Sequence, residues 1–452
     1  MPVRKPRKPC IKHMKKLLAP LLLLLGVAAQ AQDTARLLTV DEAVALALRQ
    51  NYDIRLSRND SLLAALDYGY SKYAFFPRLN GTAAYVQNRN NQAQTLADGT
   101  KRQSNGIKTN NFQYAVNLNW TLFDGLKMFV TRDRLGELVR LGELQIRAQV
   151  VGTVADVLRN YFDIARLQQQ QLATNEAMQL SNERLKLAQY KFDIGTGIKS
   201  DVLQAQIDLN AQKAMLLTQQ NALRVLQEQL NRQLTLQPGT TYRVQDSIPI
   251  NPLLQLDSVQ IASEANNPQL LLTQKQIDIA ELAVKERRAE RWPTVSFNSA
   301  YNFNRTDNNT AINPFTPVFN QNRGFNYGLS ATIPIFNGYQ ARRNIKAAEL
   351  DVANLQLQYE ANKSVIGAGI ITAYQNYSLA RQTLELEESN ILLIRENLTI
   401  ARERYRLGLS TFLEQRTAEQ NLYDAQSRLI QARFNIKAAE IELARLRGDI
   451  IR

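Results

Sequence analysis

Residues 112–125 read Phe-Gln-Tyr-Ala-Val-Asn-Leu-Asn-Trp-Thr-Leu-Phe-Asp-Gly. From Phe112 every second side chain (Tyr114, Val116, Leu118, Trp120, Leu122) is apolar or aromatic, while Gln113, Asn117, Asn119 and Thr121 intervene. A period of two puts these two sets on opposite faces of one β-strand. The alternation recurs at 294–304, where Val295, Phe297, Tyr301 and Phe303 are separated by Ser296, Asn298 and Asn302. It recurs again at 325–335, with Phe325, Tyr327, Leu329, Ile333 and Ile335 against Asn326, Gly328, Ser330 and Thr332, and more weakly at 79–89 through Leu79, Ala83 and Tyr85. The pattern predicts four strands of about eleven residues, in two hairpins with long polar tips at 90–111 and 306–323.

Two readings fit these hairpins. One is a soluble sandwich with a wet face. The other is a transmembrane β-barrel, whose strands need about 9–11 residues, an apolar outer face, a polar lumen and aromatic girdles. In that reading Leu118, Trp120, Phe297, Tyr301, Leu329 and Ile333 face lipid. Phe76, Trp120, Phe123, Trp292 and Phe336 gather at the strand–helix junctions, at the level of one membrane interface. Because the smallest membrane barrels have about eight strands, four strands make a barrel only if several chains share it.

The whole pattern occurs twice. At an offset of 216, Asp41, Asn51, Leu66, Pro77, Tyr85 and Arg89 meet Asp257, Asn267, Leu282, Pro293, Tyr301 and Arg305; after one shorter loop the offset becomes 213, and Phe123, Gly125, Tyr161, Gly195 and Ala205 meet Phe336, Gly338, Tyr374, Gly408 and Ala418. Two copies that differ by one loop three residues shorter imply one symmetric architecture. The expected organisation is a leader at 1–31, a first repeat at 32–235, a linker at 236–255 rich in Pro and Gly, and a second repeat at 256–452.

Each repeat opens with an Ala- and Leu-rich helical stretch, 40–72 and 256–290, ended by Phe76-Pro77 or Trp292-Pro293. After the hairpin, helical periodicity runs without proline over 126–192 and 339–405, then returns through 199–235 and 412–447. At 1.5 Å per residue the longer segments measure about 100 Å, more than a globular core requires.

The first residues pair a basic stretch (Lys12, Lys15, Lys16) with an apolar core from Leu17 to Ala28 and the small-x-small site Ala29-Gln30-Ala31, which predicts an export signal. The apolar core is too short to span a bilayer, for which about 20 residues are needed. Met14 is an alternative start. Residues 1–31 hold seven of the 55 Lys and Arg and no Asp or Glu, so the formal charge of +14 falls to 48 basic against 41 acidic side chains, a net +7. The remaining charges are dispersed, without the basic, aromatic-interleaved run of a nucleic-acid surface. Cys10 and His13 are the only cysteine and histidine, and both precede residue 32. That excludes disulfides, His-based nucleophilic catalysis and the usual zinc, copper or haem ligands in the exported chain. Carboxylate pairs could still hydrolyse glycosides in principle, but no phosphate loop or calcium-loop spacing is present. The expectation is no enzyme, no cofactor and no metal site.

The junction Trp120-Thr-Leu-Phe-Asp-Gly125, echoed by Ile333-Pro-Ile-Phe-Asn-Gly338, and the tip Gly195-x5-Asp201-x3-Ala205, echoed by Gly408-x5-Glu414-x3-Ala418, resemble TolC-type outer-membrane efflux proteins. The resemblance covers nearly all of the chain after the leader. It implies a mainly α protein with transmembrane β structure, a homotrimer whose twelve-strand barrel in the outer-membrane lipid of a Gram-negative cell continues as a long periplasmic α-helical barrel. It also implies a periplasmic adaptor and an inner-membrane pump (RND, ABC or MFS type) as partners, no nucleic acid, and passive export of small molecules such as drugs. The same fold could instead serve type I protein or peptide secretion, and a periplasmic coiled-coil adaptor shares the long antiparallel helices.

In the family's second-repeat tip a Tyr, an Arg and two Asp narrow the entrance. Tyr405 matches the Tyr and Glu414 stands at the first Asp, but Ser410 and Thr417 replace the Arg and the second Asp; Arg404, Arg406 or Arg416 could substitute. The tip candidates are Tyr405, Glu414, Asp201 and Phe192, with Gly195, Gly197, Gly408 and Ser410 in the turns and at the adaptor contact. Asp201, after Ser200, and Glu414, in Thr411-x-x-Glu414, equally fit helix caps.

Overall fold

The structure is a computed structural model that describes residues 36–251, 254–310 and 317–450; the leader at 1–31 lies outside the described residues. Each repeat holds two short helices, a hairpin and two long helices, the first preceded by a three-residue strand. The first comprises β1 (Arg36–Leu38), α1 (Val40–Gln50), α2 (Tyr52–Ser71), β2 (Arg78–Thr95), β3 (Lys101–Phe123), α3 (Lys127–Asp193) and α4 (Lys199–Leu234). After β4 (Tyr242–Val244) the second comprises α5 (Leu256–Asn266), α6 (Pro268–Ala289), β5 (Thr294–Asn308), β6 (Phe319–Thr332), α7 (Gln340–Arg406) and α8 (Phe412–Arg447).

The four long strands form one antiparallel sheet in the order β2-β3-β5-β6, so β2 and β6 are its edges. Its register settles which side chains share a face. Leu79 pairs with Leu118 and Ala83 with Tyr114; Trp120 pairs with Phe297 and Val116 with Tyr301; Phe297 pairs with Leu329 and Tyr301 with Phe325. Directly opposed residues point the same way, so the apolar sets of all four strands lie on one face. Tyr114 stacks on Phe303 with ring centroids 5.0 Å apart. On the opposite face, Asn119 Nδ2 donates to Asn298 Oδ1 at 2.6 Å, and Asn298 Nδ2 donates to Ser330 Oγ at 2.8 Å.

Three expectations need correction. The hairpin tip expected at 90–111 is mostly strand: β2 runs to Thr95 and β3 starts at Lys101, with a bulge at Asn90/Gln92 where Asn91 Oδ1 accepts from Gly106 N at 2.7 Å. Polar side chains do not end a strand whose backbone stays paired. The last strand spans Phe319–Thr332 rather than 325–335, because Pro334 has no N–H for the ladder. Ile333 is therefore not a strand residue; it is exposed beyond the end of β6.

The third correction concerns the helical stretches 40–72 and 256–290, each of which is two helices broken at Asn51 or Asn267. Asn51 Oδ1 accepts from Asp53 N (2.9 Å) and Ile54 N (3.2 Å), while its Nδ2 donates to Gln233 O at 2.9 Å. Asn267 does the same with Gln269 N, Leu270 N and Leu446 O. Each Asn caps the second short helix and ties it to the far end of the returning long helix of its own repeat. The long helices end within a residue of their expected bounds. They are reached through paired left-handed residues, Gly125 (φ +72°) with Leu126 (φ +68°) and Gly338 (φ +61°) with Tyr339 (φ +62°). Gly125 has no room for a side chain: a Cβ there would lie 2.5 Å from Ala289 O.

α3 is the central element, packed by α2, α4, α6 and α8. The largest core cluster surrounds its middle, where Val157, Tyr161, Ile164 and Ala165 meet Leu230 and Leu234 of α4 and the parallel pair β1–β4. Tyr161 is fully buried; its hydroxyl donates to Leu38 O at 2.7 Å and accepts from Gln245 N at 3.0 Å. Burial pushes the phenol pKa above its usual value. Tyr161→Phe strands the buried Leu38 O and unpairs the part-buried Gln245 N, and should cost about 1–3 kcal/mol. Denaturant titration of the detergent-solubilised protein checks this; an unchanged midpoint would show that β1 and β4 do not depend on the hydroxyl.

Candidate functional site: the helix-hairpin tips

The α3–α4 and α7–α8 turns lie at the end of the long helices farthest from the sheet, and Gly positions set their shape. Gly195 (φ +80°) and Gly408 (φ +78°) take the left-handed conformation that ends α3 and α7. Gly195 N donates to Phe192 O (3.0 Å), and Thr196 N and Gly197 N both donate to Lys191 O (2.9 Å). In the other turn Gly408 N donates to Tyr405 O (3.1 Å) and Leu409 N to Arg404 O (2.8 Å). Gly197 is needed for space: a Cβ would approach Phe192 N to 2.9 Å.

Tyr405 is buried within the chain, in a cluster with Ala188, Val202, Ala205 and Phe412. Its ring meets Phe412 edge-on at 6.3 Å, and Lys191 Nζ sits 3.9 Å from its centroid while donating to Tyr405 O at 2.5 Å. Burial, then the neighbouring Asp201 charge, raise its phenol pKa; Arg184 opposes them. Tyr405 thus bridges the two hairpins, with Asp201 of α4 beside it. Phe192 is partly exposed, with Lys199 Nζ 5.1 Å from its ring.

The two acids differ. Thr411 Oγ1 accepts from Glu414 N at 3.2 Å and caps α8, leaving the Glu414 side chain exposed. Asp201 is not a cap. α4 starts from Ile198 without a side-chain cap, and Asp201 sits in its first turn, where its charge favours the positive end of the helix. The three arginines that could replace the family's Arg are engaged elsewhere: Arg404 Nη2 donates to Leu409 O at 3.4 Å, Arg406 pairs with Glu403 and Arg416 with Asp208. Ser410 Oγ is buried and has no hydrogen-bond partner among the described residues.

Sequence reasoning missed an ionic cluster above the tip. Arg184, 2% exposed, pairs with Asp208 and with Glu419 at 2.8 Å each, and Arg416 reaches Asp208 at 2.8 and 3.1 Å. The cluster joins α3, α4 and α8. Burial raises the Glu419 pKa against the pull of Arg184 and the hydrogen bond from Gln415. Removing Arg184 would leave Glu419 desolvated without its cation, while Asp208 keeps Arg416, a loss of about 3–5 kcal/mol. A signal existed: Arg184 occupies the helical register of Leu180 and Ala188, and at the 213 offset its counterpart is Asn397, while Asp208 maps to Asn421 and Glu419 to Gln206. The charges break both the apolar register and the repeat.

A sheet with one apolar face joined to two helices of 67 residues, about 100 Å each, that turn at Gly residues into returning helices of 36 residues is the fold of solved outer-membrane channels. The sequence pattern of the outer membrane efflux protein family matches residues 43–235 and 262–449, and the chain belongs to that family. It is 22% identical over 458 residues to the outer membrane efflux protein BepC of Brucella suis, covering 97% of this chain and 91% of that one. To the cation efflux system protein CusC of Escherichia coli it is 25% identical over 425 residues, covering 89% and 85%. The crystal structure of the Campylobacter jejuni CmeC outer membrane channel shares the fold, with a TM-score of 0.74 at 18% identity over 90% of this chain and 85% of that one.

Tyr405→Ala should raise the resting conductance of the closed channel, because it removes the ring that joins the two hairpins. Glu414→Gln should weaken cation preference and block by multivalent cations, an effect that salt screens over about 10 Å at 0.1 M. If Glu414 serves only α8, Gln preserves the cap and selectivity stays unchanged. Planar-bilayer recordings of both variants decide.

Proposed function

We infer that this chain is the outer-membrane component of a tripartite efflux system, a passive trimeric duct for small toxic compounds such as drugs. One observation carries the reading: all four strands segregate apolar from polar residues onto opposite faces of a sheet whose edges, β2 and β6, are unpaired among the described residues. A lipid-facing sheet cannot leave a row of N–H and C=O groups open to hydrocarbon. Pairing β6 of one copy with β2 of the next removes every edge, and three copies supply the twelve strands that the resemblance implies. No described helix is long and apolar enough to cross a membrane, which leaves the sheet as the spanning element in this reading.

The long helices then continue the duct into the periplasm, and residues 1–31 direct export. The hairpin tips meet a periplasmic adaptor, and transport energy comes from an inner-membrane pump. Gly195, Gly197, Gly408 and Ser410 shape the surface the adaptor meets. Tyr405, Glu414, Asp201 and Phe192 form the entrance. Family membership favours a duct over a periplasmic adaptor.

Two measurements test the reading. Light scattering of the detergent-purified protein, with the micelle contribution subtracted, should give three chains; a monomer that inserts stably into vesicles would overturn it. Leu118→Arg or Leu329→Arg should cost about 2–4 kcal/mol of stability in lipid, whereas Asn119→Arg and Ser330→Arg should be tolerated. Equal sensitivity of the two faces to urea in vesicles would remove the lipid-facing assignment.

A further inference from the structure

The polar face of the sheet has a property that its amphipathicity does not require. On it lie the alternate residues from Asn80 to Asn90 on β2, from Thr109 to Thr121 on β3, from Thr294 to Asn308 on β5 and from Asn320 to Thr332 on β6. Within these ranges the face holds Asn, Gln, Ser, Thr, Gly, Ala, Val86 and no Asp, Glu, Lys or Arg. The strands themselves are not short of charge. Arg89, Lys108, Arg305, Asp307 and Arg323 all fall on the opposite face, toward the hairpin tips, where Arg89 is paired with Lys108 and Arg323 with Phe303. Charge is thus sorted by face. Ionised residues reach the polar face only at its ends: Arg78, opposite Asn119, at the helical rim, and one of the consecutive Lys101 and Arg102 at the far hairpin tip, beyond the bulge.

We infer that, given the barrel proposed above, its interior is a charge-free passage lined by carboxamides and hydroxyls, which admits polar cargo irrespective of the sign of its charge. A lumen ringed by one sign of charge focuses counter-ions and repels like charges. Carboxamides donate and accept at once, so they solvate cations, anions and neutral polar groups without a net field. Cross-strand bonds hold part of this lining in place at both ends: Thr109 Oγ1 donates to Asn308 Oδ1 at 2.7 Å toward the hairpin tips, and the Asn119–Asn298–Ser330 chain lies toward the helices. Cargo here is separated by size and hydrogen bonding, and discrimination by charge is left to the helical portion and its tip.

Single cysteines test this, in a Cys10→Ser background that has no other cysteine. Asn117→Cys and Asn302→Cys report on the polar face, Leu118→Cys and Tyr301→Cys on the apolar face, each in the full-length protein in outer-membrane vesicles. Cationic and anionic methanethiosulfonates of matched size are added from outside. At Asn117→Cys and Asn302→Cys the ratio of the two rates should stay within about threefold of the ratio for a small thiol in solution, as expected where no local field concentrates either ion. Adding Asn302→Asp to Asn117→Cys should swing the ratio toward the cation, which shows that the assay senses one charge per chain. A preference above about tenfold for either sign at the unaltered face would overturn the inference while leaving the barrel standing. Reaction of Leu118→Cys and Tyr301→Cys as fast as the polar-face pair, or no reaction at Asn117→Cys and Asn302→Cys, would instead overturn the barrel reading on which the inference rests.

Discussion

A backbone amide in hydrocarbon has no water to bond to, and in this chain that constraint falls on the two edge strands. β3 and β5 have partners on both sides, but β2 and β6 each present one unpaired edge. The apolar face of the sheet demands lipid, and lipid does not tolerate the edges. Addition of further strands reconciles these demands, and in the proposed trimer further copies of the same chain supply them. The proposed closure has a consequence for the helices: each copy would contribute an arc of the duct wall, with its long helices running beside those of its neighbours. The exposed apolar residues along α7, among them Leu379, Leu386, Leu393 and Ile400, recur at sevens, the spacing of a coiled-coil seam.

The twofold repeat is kept where geometry is demanding. Asn51 and Asn267 make the same three hydrogen bonds to equivalent partners; Gly125-Leu126 and Gly338-Tyr339 make the same left-handed passage from hairpin to helix; and Thr235 and Gly448 end the returning helices in the same conformation. It is broken where the two hairpins must differ. Arg184, Asp208 and Glu419 have uncharged counterparts, so their network forms once and fastens α8 to the first hairpin. Tyr405 projects into the same seam beside Asp201.

Much of this was legible in the residues. Alternation at Phe112–Leu122 gave both the strand and its faces, because a period of two leaves no freedom in which side chains share a side. Proline-free helical periodicity placed α3, α4, α7 and α8 to within a residue. What was hidden depends on contacts distant in sequence. The break at Asn51 is invisible to periodicity, since the helices on either side are both Ala- and Leu-rich, and it exists because a carboxamide bonds Gln233 O. The polar hairpin tip read as loop, yet β2 and β3 stay paired through it. At the tip, resemblance identified Tyr405 but could not show it buried, nor that Arg416 is committed to Asp208.

The distribution of charge along the proposed duct also bears on how a passive channel can be selective. A filter placed in the barrel would act on cargo that had already crossed the periplasmic segment, too late to determine what enters. At the tip the chain carries Asp201, Glu403 and Glu414 together with Lys191, Lys199, Arg404 and Arg406, whereas the polar face of the sheet carries no ionised side chain inside its rim. In the proposed trimer a threefold axis brings like charges from three tips together, which strengthens the local field without any new residue. On that proposal the energetic preference for one cargo over another is concentrated at the hairpin tips, while the membrane end needs only to stay open, wet and free of sites that would hold cargo back.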